Sequence, residues 1–136
     1  MKKLIILIIV LVAAGTQSFA QRKPNIVFHL QTSDTLVYRS VVNQIANTKK
    51  QIPDASIEVV CHGPGIEFLL LKNARYANRV DAMKLKDVSI VGCEHTMAQR
   101  KLKKEDLVPF AGTVPSGIVE IIKKQQENWL YVKLGF

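Results

Sequence analysis

The sequence predicts an α/β domain built as a three-layer α/β/α sandwich, with a mainly parallel β-sheet between two layers of helices. Five short apolar segments, rich in β-branched residues, alternate with segments whose apolar residues recur at helical spacing. This alternation is typical of parallel sheets, in which each crossover helix packs back onto a face of the sheet. The carboxyl ends of the strands should then share one edge, where ligands bind in such folds.

The first predicted strand is Asn25–Leu30, a mostly apolar segment that suits burial on both faces. It contains His29, which we interpret as a hydrogen-bonded core residue, because histidine is commonly partly buried. Polar residues at positions 31–34 supply turn and cap residues, and a helix is expected from there to Lys50. Pro53 should end that helix.

The second predicted strand, Ser56–Cys61, leads into a glycine-rich turn that contains His62, Gly63 and Gly65. Such a turn brings backbone amides close to a bound ligand, although its spacing differs from that of the phosphate-binding glycine fingerprints. A short apolar helix over residues 66–71 and a further helix over residues 75–85 are expected to connect this turn to the third strand.

The third predicted strand begins at Val88, is β-branched at three of its first four positions, and ends at Cys93. A helix is expected from Thr96 to Leu107, which places the Cys93 thiol at a strand-to-helix junction. The partial positive charge of a first helical turn favours a thiolate and lowers a cysteine pKa. Cys93 is therefore the leading candidate for chemistry, with inert packing as the alternative.

The rest of the chain is expected to form a fourth strand, a last helix and a fifth strand. Their predicted limits are Phe110–Val114, Pro115–Gln126 and Trp129–Leu134. Asn128 suits the left-handed position that follows a helix. The basic residues at positions 100–104 are interpreted as the solvated end of the preceding helix, where cations complement the helix dipole.

The first twenty residues have the three parts of an export signal. Lys2 and Lys3 precede the apolar run Leu4–Ala14, and the segment ends at the small residue Ala20. The run is too short to span a bilayer. We expect cleavage after Ala20 and a soluble mature protein in the periplasm, formed by residues 21–136, with no membrane span after cleavage. An uncleaved membrane anchor is the alternative.

The charge balance is basic, with 19 lysines and arginines against 11 acidic residues. A basic protein outside the cytoplasm meets anionic lipids, polysaccharides or small anions more readily than nucleic acid. The basic patterns interleaved with aromatic residues that RNA-binding proteins show are absent from the sequence, so no nucleic acid partner is expected. The sequence also lacks a serine nucleophile elbow, and nothing in it favours a hydrolase or a nucleotide-dependent enzyme.

Several segments together resemble the DsrE/DsrF-like sulfur-relay family over essentially the whole predicted mature chain. They are Val59-Val60-Cys61-His62-Gly63-Pro64-Gly65, Cys93-Glu94-His95-Thr96-Met97, Asp106-Leu107-Val108-Pro109, Val114-Pro115-Ser116-Gly117 with Glu120-Ile121-Ile122, and Gln126-Glu127-Asn128-Trp129-Leu130-Tyr131-Val132-Lys133. The resemblance implies a five-stranded parallel sheet in the order 4-3-2-1-5 and assembly into trimers or hexamers.

The resemblance also implies a role for one cysteine. In sulfur-relay members a cysteine after the third strand carries sulfur as a persulfide between partner proteins, and Cys93 matches that position. The chain departs from the family in its predicted export signal, since those members are cytoplasmic, and in Asn128, where a glycine is usual.

The implied strand order makes the second and third strands neighbours. We therefore expect Cys61 and Cys93 to lie near enough to interact, either as a disulfide or with Cys61 resolving a persulfide on Cys93. A disulfide needs Cα atoms within about 7 Å, so the register of the two strands decides this prediction.

Three functions fit this sheet edge. The first is a thiol or persulfide carrier that acts through Cys93 with a sulfur donor or acceptor protein. The second is a non-catalytic module that binds a small ligand or a metal, for which thiolate and imidazole favour copper(I) or zinc. The third is a structural subunit of a homo-oligomer. No cofactor and no defined metal site are predicted. The candidate binding residues are Cys61, His62, Gly63, Gly65, Glu94, His95 and Thr96.

Overall fold

The computed structural model describes residues 23–135 and contains a single five-stranded sheet. All its strand pairings are parallel, and the strand order is β4-β3-β2-β1-β5. The strands are β1 (Asn25–Leu30), β2 (Ser56–Cys61), β3 (Val88–Cys93), β4 (Gly112–Val114) and β5 (Leu130–Leu134). The predicted fold class and the implied strand order are confirmed. The predicted signal peptide, residues 1–20, lies outside the described residues.

Helices cover the two faces of the sheet unequally. The α-helices are α1 (Thr35–Gln51), α2 (Arg75–Ala82), α3 (Glu94–Gln99) and α4 (Gly117–Gln126), and 3-10 helices span Gly63–Leu69, Leu71–Asn73 and Lys104–Asp106. Helices α1 and α2 and the first 3-10 helix pack on one face and form the main core, which includes Val41, Ile45 and Phe68. On the other face, Ile121 of α4 packs against Val27, Val60 and Val91 in a smaller core.

Helix α3 is much shorter than the sequence predicts, because it ends at Gln99 instead of Leu107. The N–H of Leu102 donates to the carbonyl of Met97 (2.8 Å), and that of Lys101 donates to the carbonyl of Ala98 (3.1 Å). This pair of bonds is a Schellman motif, which closes a helix around a residue with positive φ. Here that residue is Lys101, at φ 55°. The basic residues 100–104 consequently lie at and beyond the helix end.

Smaller differences affect other element limits. The segment predicted as a helix over residues 66–71 belongs mainly to the 3-10 helix Gly63–Leu69, and α2 ends at Ala82 instead of residue 85. Strand β4 begins at Gly112 and β5 at Leu130, and α4 begins at Gly117 because the Ser116 side chain caps it. The predicted left-handed conformation of Asn128 is confirmed at φ 63°.

Length and hydropathy decide whether a helix within residues 23–135 could span a membrane. None of the helices there combines the length and the hydropathy needed to cross a bilayer.

Candidate functional site

The register of β2 and β3 separates the two cysteines. Cys61 is paired with Gly92, so Cys93 lies one residue further along β3. Because successive side chains of a strand point to opposite faces, Cys61 faces the main core and Cys93 faces the α4 side. Both thiols are free. The prediction that Cys61 and Cys93 are close enough to interact is therefore wrong, since the sheet itself lies between the two side chains.

Cys61 is part of the main hydrophobic core. Its side chain has no exposed surface, and it packs among the apolar residues between the sheet and helices α1 and α2. Burial raises the pKa of the Cys61 thiol far above its ordinary value, since a thiolate would lose its hydration without gaining a partner. This thiol is held neutral and out of reach of solvent.

Cys93 lies in a different environment, at the N-cap position of α3. Its sulfur accepts a hydrogen bond from the backbone N–H of Thr96, with an N to Sγ distance of 3.4 Å. Burial by itself would raise the pKa of Cys93, but hydrogen bonds from the Thr96 hydroxyl and the Gly117 amide favour the thiolate and outweigh it. The net effect lowers the pKa of Cys93, in the direction that the sequence predicts.

Thr96 links the glycine-rich turn to the thiol. The N–H of Gly63 donates to Thr96 Oγ1 at 2.9 Å, and Thr96 is buried. Because that oxygen already accepts the Gly63 N–H, its own hydrogen remains available for the Cys93 sulfur. Gly63 thus contributes to the site by orienting Thr96.

Gly65 has a structural role in the same turn. Its N–H donates to the carbonyl of His62 at 3.0 Å. A Cβ atom at position 65 would lie 2.0 Å from the carbonyl oxygen of Leu30, so this position requires glycine for the close approach of the turn to β1. The glycine-rich turn therefore packs tightly against the end of the neighbouring strand.

Gly117, the first residue of α4, lies directly over the thiol. A Cβ atom at this position would be 2.9 Å from His62 Cβ and 3.3 Å from Cys93 Cβ. The helix can therefore bring its first amide to the sulfur only because residue 117 has no side chain. Gly117 lies in one of the segments that resemble the family, but its role at the thiol is not predicted from the sequence. The signal for that role is a glycine directly after the helix-capping Ser116.

His62 belongs to a buried chain of polar side chains that extends away from Cys93. The Nε2 atoms of His62 and His29 are 2.6 Å apart, and His29 Nδ1 is 2.7 Å from the hydroxyl of Tyr131 on β5. The two imidazole rings are stacked, with centroids 4.7 Å apart. The interpretation of His29 as a hydrogen-bonded core residue is confirmed. The role of Tyr131, which lies in one of the segments that resemble the family, is not predicted from the sequence.

Both histidines are held neutral by this arrangement. Burial first, and then the nearby His62 and Lys133, lower the pKa of His29 to about 4. Burial also lowers the pKa of His62. A neutral pair can share one proton in a single N–H to N hydrogen bond, which explains the close approach of the two rings.

Glu94 and His95 follow Cys93 in sequence but are exposed. One carboxylate oxygen of Glu94 accepts a hydrogen bond from the Thr113 hydroxyl at 2.7 Å, which ties α3 to β4. His95 Nε2 is 3.3 Å from the side-chain amide of Gln99, one turn further along α3. Both side chains are accessible to a partner at this edge. The backbone amide of His95 is one of the donors that favour the Cys93 thiolate, whereas the side chains of Glu94 and His95 have no such role.

The thiols and imidazoles that the metal-binding alternative would use, those of Cys61, His62, Cys93 and His95, do not come together. Cys61 faces the opposite side of the sheet from Cys93, and His62 is bonded to His29 while His95 is exposed. Within residues 23–135, no group of three or more histidine, cysteine or acidic side chains could hold a metal ion.

The fold and site together define an α/β protein with a hydrogen-bonded cysteine at the carboxyl end of the third strand of a parallel sheet. The model of the DsrE/DsrF-like family matches residues 26–134, and the chain belongs to this family. The resemblance read from the sequence is confirmed.

A solved structure supports the same fold. It is a protein of unknown function from Methanobacterium thermoautotrophicum, 24% identical, with a TM-score of 0.76 over 81% of this chain and 98% of that chain. At this level of identity the likeness concerns the fold alone. A search among curated proteins gives no match.

Proposed function

We propose that this protein is a periplasmic thiol or persulfide sulfur carrier that acts through Cys93. The observation that carries the proposal is the position of Cys93 at the N-cap of α3, where its sulfur accepts the Thr96 N–H at 3.4 Å. The surrounding donors lower the pKa of this thiol. A thiolate is the reactive form in sulfur exchange, so this environment suits transfer chemistry. Membership of a family that includes sulfur-relay proteins supports the same function.

The transfer needs no net oxidation. The Cys93 thiolate attacks the outer sulfur of a donor persulfide, a sulfur–sulfur bond forms at Cys93, and the donor leaves as a thiolate. An acceptor thiolate then attacks the outer sulfur on Cys93 and releases the Cys93 thiolate. The amide of Gly117 and the hydroxyl of Thr96 stabilise Cys93 in its anionic form before loading and after release.

Cys61 has no part in this cycle. It is fully buried on the other face of the sheet and cannot reach a persulfide on Cys93. The carrier therefore exchanges sulfur with thiols of partner molecules and not with a resolving cysteine of its own. The exposed Glu94 and His95, next to Cys93, are the residues that such a partner would meet first.

The experiment is a loading assay followed by intact mass. Incubation of the reduced protein with a low-molecular-weight persulfide should add the mass of one sulfur atom, which reductant removes. Cys93→Ser should abolish the added mass, and Cys61→Ser is the matched control that should load like the wild type. Loading that persists in Cys93→Ser would contradict the proposal.

Assembly into a homo-oligomer, as a trimer or hexamer, is part of the proposal. Its support is exposed apolar side chains at two places, Ile118, Val119 and Ile122 on α4 and Leu130 and Val132 on β5. Strand β5 is also an edge strand of the sheet. Such surfaces are usually covered by a partner.

The oligomer is tested by light scattering after size exclusion. Ile122→Glu and Leu130→Lys should each shift the protein toward the monomer. Leu71→Lys is the control, because Leu71 is 52% exposed on the 3-10 helix Leu71–Asn73, outside α4 and β5. A wild-type monomer at working concentration would contradict this part of the proposal.

The periplasmic location is tested by fractionation and amino-terminal sequencing. We expect the protein in the periplasmic fraction with Gln21 as its first residue, because Ala20 ends the predicted signal. An amino terminus at Met1 in the membrane fraction would contradict it.

A further inference from the structure

A cavity of about 730 Å³ opens on the α1 and α2 side of the sheet, remote from the Cys93 thiol. Its walls come from the start of α1, the 3-10 helices that follow β2, helix α2 and Arg100. This volume lies within the range of about 300–1,000 Å³ that is typical of pockets for small organic molecules. Neither Thr96 nor Gly117 lines it, so the cavity is separate from the cysteine site.

The cavity has an excess of positive charge. Lys72, Arg75 and Arg100 line it, against the single carboxylate of Glu67. Arg100 Nη1 donates to Glu67 Oε1 at 2.9 Å, so those two charges offset each other. Within residues 23–135, Lys72 and Arg75 form no ion pair. Two cations are therefore available to a ligand, which favours an anion.

Tyr38 supplies an independent observation. It lines the cavity, is only 2% exposed, and its hydroxyl has no hydrogen-bond partner among the described residues. Burial is the main cause that raises the pKa of Tyr38, so the group remains a hydroxyl donor at neutral pH. A buried hydroxyl without an acceptor is unfavourable, and an oxygen of a bound ligand would satisfy it.

The wall next to these polar groups is partly aromatic. The Tyr76 ring is 6.1 Å from the Tyr38 ring, and the Arg75 guanidinium lies 5.7 Å from the centre of the Tyr76 ring. Leu71 and Ala74 also line the cavity. The cavity thus combines an acid-binding set of groups with an apolar surface suited to the body of an organic molecule.

We propose that this cavity binds a small organic acid. Its acidic oxygens accept hydrogen bonds from the Tyr38 hydroxyl and from Arg75, and its body packs against the Tyr76 ring. A bare inorganic anion would leave most of the volume empty, which is why an organic acid is the better fit. Binding is independent of the sulfur chemistry at Cys93, since the two sites share no residue.

The test is calorimetric titration of the purified protein with four ring compounds of similar size. Benzoate and phenyl phosphate carry an acid group, benzamide is neutral and benzamidine is cationic. We expect at least one acid to bind with a Kd of about 1 mM or lower, and the neutral and cationic compounds to bind far more weakly. The stronger of the two acids identifies the ligand as a carboxylate or a phosphate ester.

Variants connect the binding to the cavity. Tyr38→Phe and Arg75→Gln should each weaken acid binding by about tenfold, the loss expected for one charge-assisted hydrogen bond. Arg79→Gln is the matched control, because Arg79 is exposed on the same helix but does not line the cavity. Cys93→Ser should also bind like the wild type.

Three results would overturn the proposal. They are no binding of either acid at about ten times the expected Kd, equal binding of benzamidine, and wild-type affinity in both Tyr38→Phe and Arg75→Gln. Because Arg75 is exposed, its substitution tests the site even if Tyr38→Phe disturbs the core.

Discussion

Cys61 ends strand β2 and Cys93 ends the neighbouring strand β3, but their side chains leave the sheet on opposite faces. Cys61 enters the main core, where it packs among apolar side chains. Cys93 meets the first turn of α3 and the first amide of α4. An offset of one residue in the register is enough to produce this difference.

The difference shows that burial does not by itself decide the chemistry of a thiol. Cys93 is only 4% exposed and Cys61 is not exposed at all, so both lose most of their hydration. Burial raises the pKa of Cys61, whereas hydrogen bonds reverse that effect at Cys93. The donors at helix starts therefore distinguish a thiol whose anionic form is stabilised from a thiol that only packs in the core.

The largest expected difference between the two cysteines is in alkylation. Cys61 can react only when the core opens, and global unfolding costs at least about 5 kcal/mol in a typical domain. We expect iodoacetamide to modify Cys93 at least about a thousandfold faster than Cys61. Mass spectrometry of Cys61→Ser and Cys93→Ser over time measures both rates. Comparable alkylation rates of the two cysteines in native buffer would contradict the different environments of Cys61 and Cys93.

Gly117→Ala should disturb the packing of α4 over Cys93 without affecting the core around Cys61. The added Cβ would meet His62 Cβ at 2.9 Å and Cys93 Cβ at 3.3 Å, so α4 must move away. We expect a loss of about 1–3 kcal/mol in the free energy of unfolding, together with a higher pKa of Cys93. Lys123→Ala, at an exposed position of α4 outside the residues proposed for the oligomer interface, is the control. An unchanged pKa of Cys93 in Gly117→Ala would show that the first amide of α4 does not stabilise the Cys93 thiolate.

Thr96→Val should have a smaller effect on stability. It leaves the N–H of Gly63 without its acceptor and removes the hydroxyl that favours the Cys93 thiolate. The expected cost is about 1–2 kcal/mol in chemical denaturation, with a rise in the pKa of Cys93. Thr96→Ser keeps the hydroxyl and should restore most of both properties. If Thr96→Val keeps the wild-type pKa of Cys93, the lowered pKa comes from the backbone donors alone and the Thr96 hydroxyl has no part in it.

The smallest effect expected is a pH dependence of stability with opposite signs at the two cysteines. Because the pKa of Cys61 is raised in the folded protein, its contribution to the free energy of unfolding is complete below the ordinary thiol pKa. This contribution is lost as pH rises above that value. Because the pKa of Cys93 is lowered in the folded protein, its contribution to the free energy of unfolding is complete above the ordinary thiol pKa. This contribution is lost as pH falls through the pKa that Cys93 has in the folded protein.

Denaturation at two pH values checks this prediction. Between about pH 9 and pH 10, Cys61→Ala should lose about 1 kcal/mol less stability than the wild type, because the variant lacks the thiol that ionises on unfolding. Cys93→Ala should not show this smaller loss of stability. Identical pH slopes in the wild type and Cys61→Ala would contradict the buried, neutral state of Cys61.

Much of the fold could be predicted because the strands are short, apolar and regularly separated by helical segments. The position of Cys93 at the end of β3 was also predictable, since the apolar run stops there. The early end of α3 was not, because the left-handed residue that closes the helix is Lys101 and not the usual glycine.

The separation of the two cysteines could not be predicted either. Sequence alone gives the ends of β2 and β3 but not the register, and a shift of one residue reverses the face of every side chain. The contribution of Gly117 depends on the return of α4 to the same sheet edge, which only the three-dimensional structure reveals.

The most direct test of the account is the titration of Cys93 in the Cys61→Ala variant. Thiolate absorbance in the ultraviolet, corrected with the Cys61→Ala/Cys93→Ser double variant, gives the ionisation midpoint of this one thiol. We expect a midpoint below that of an ordinary thiol, because the Thr96 and Gly117 hydrogen bonds outweigh burial. A midpoint at or above the ordinary value would contradict it.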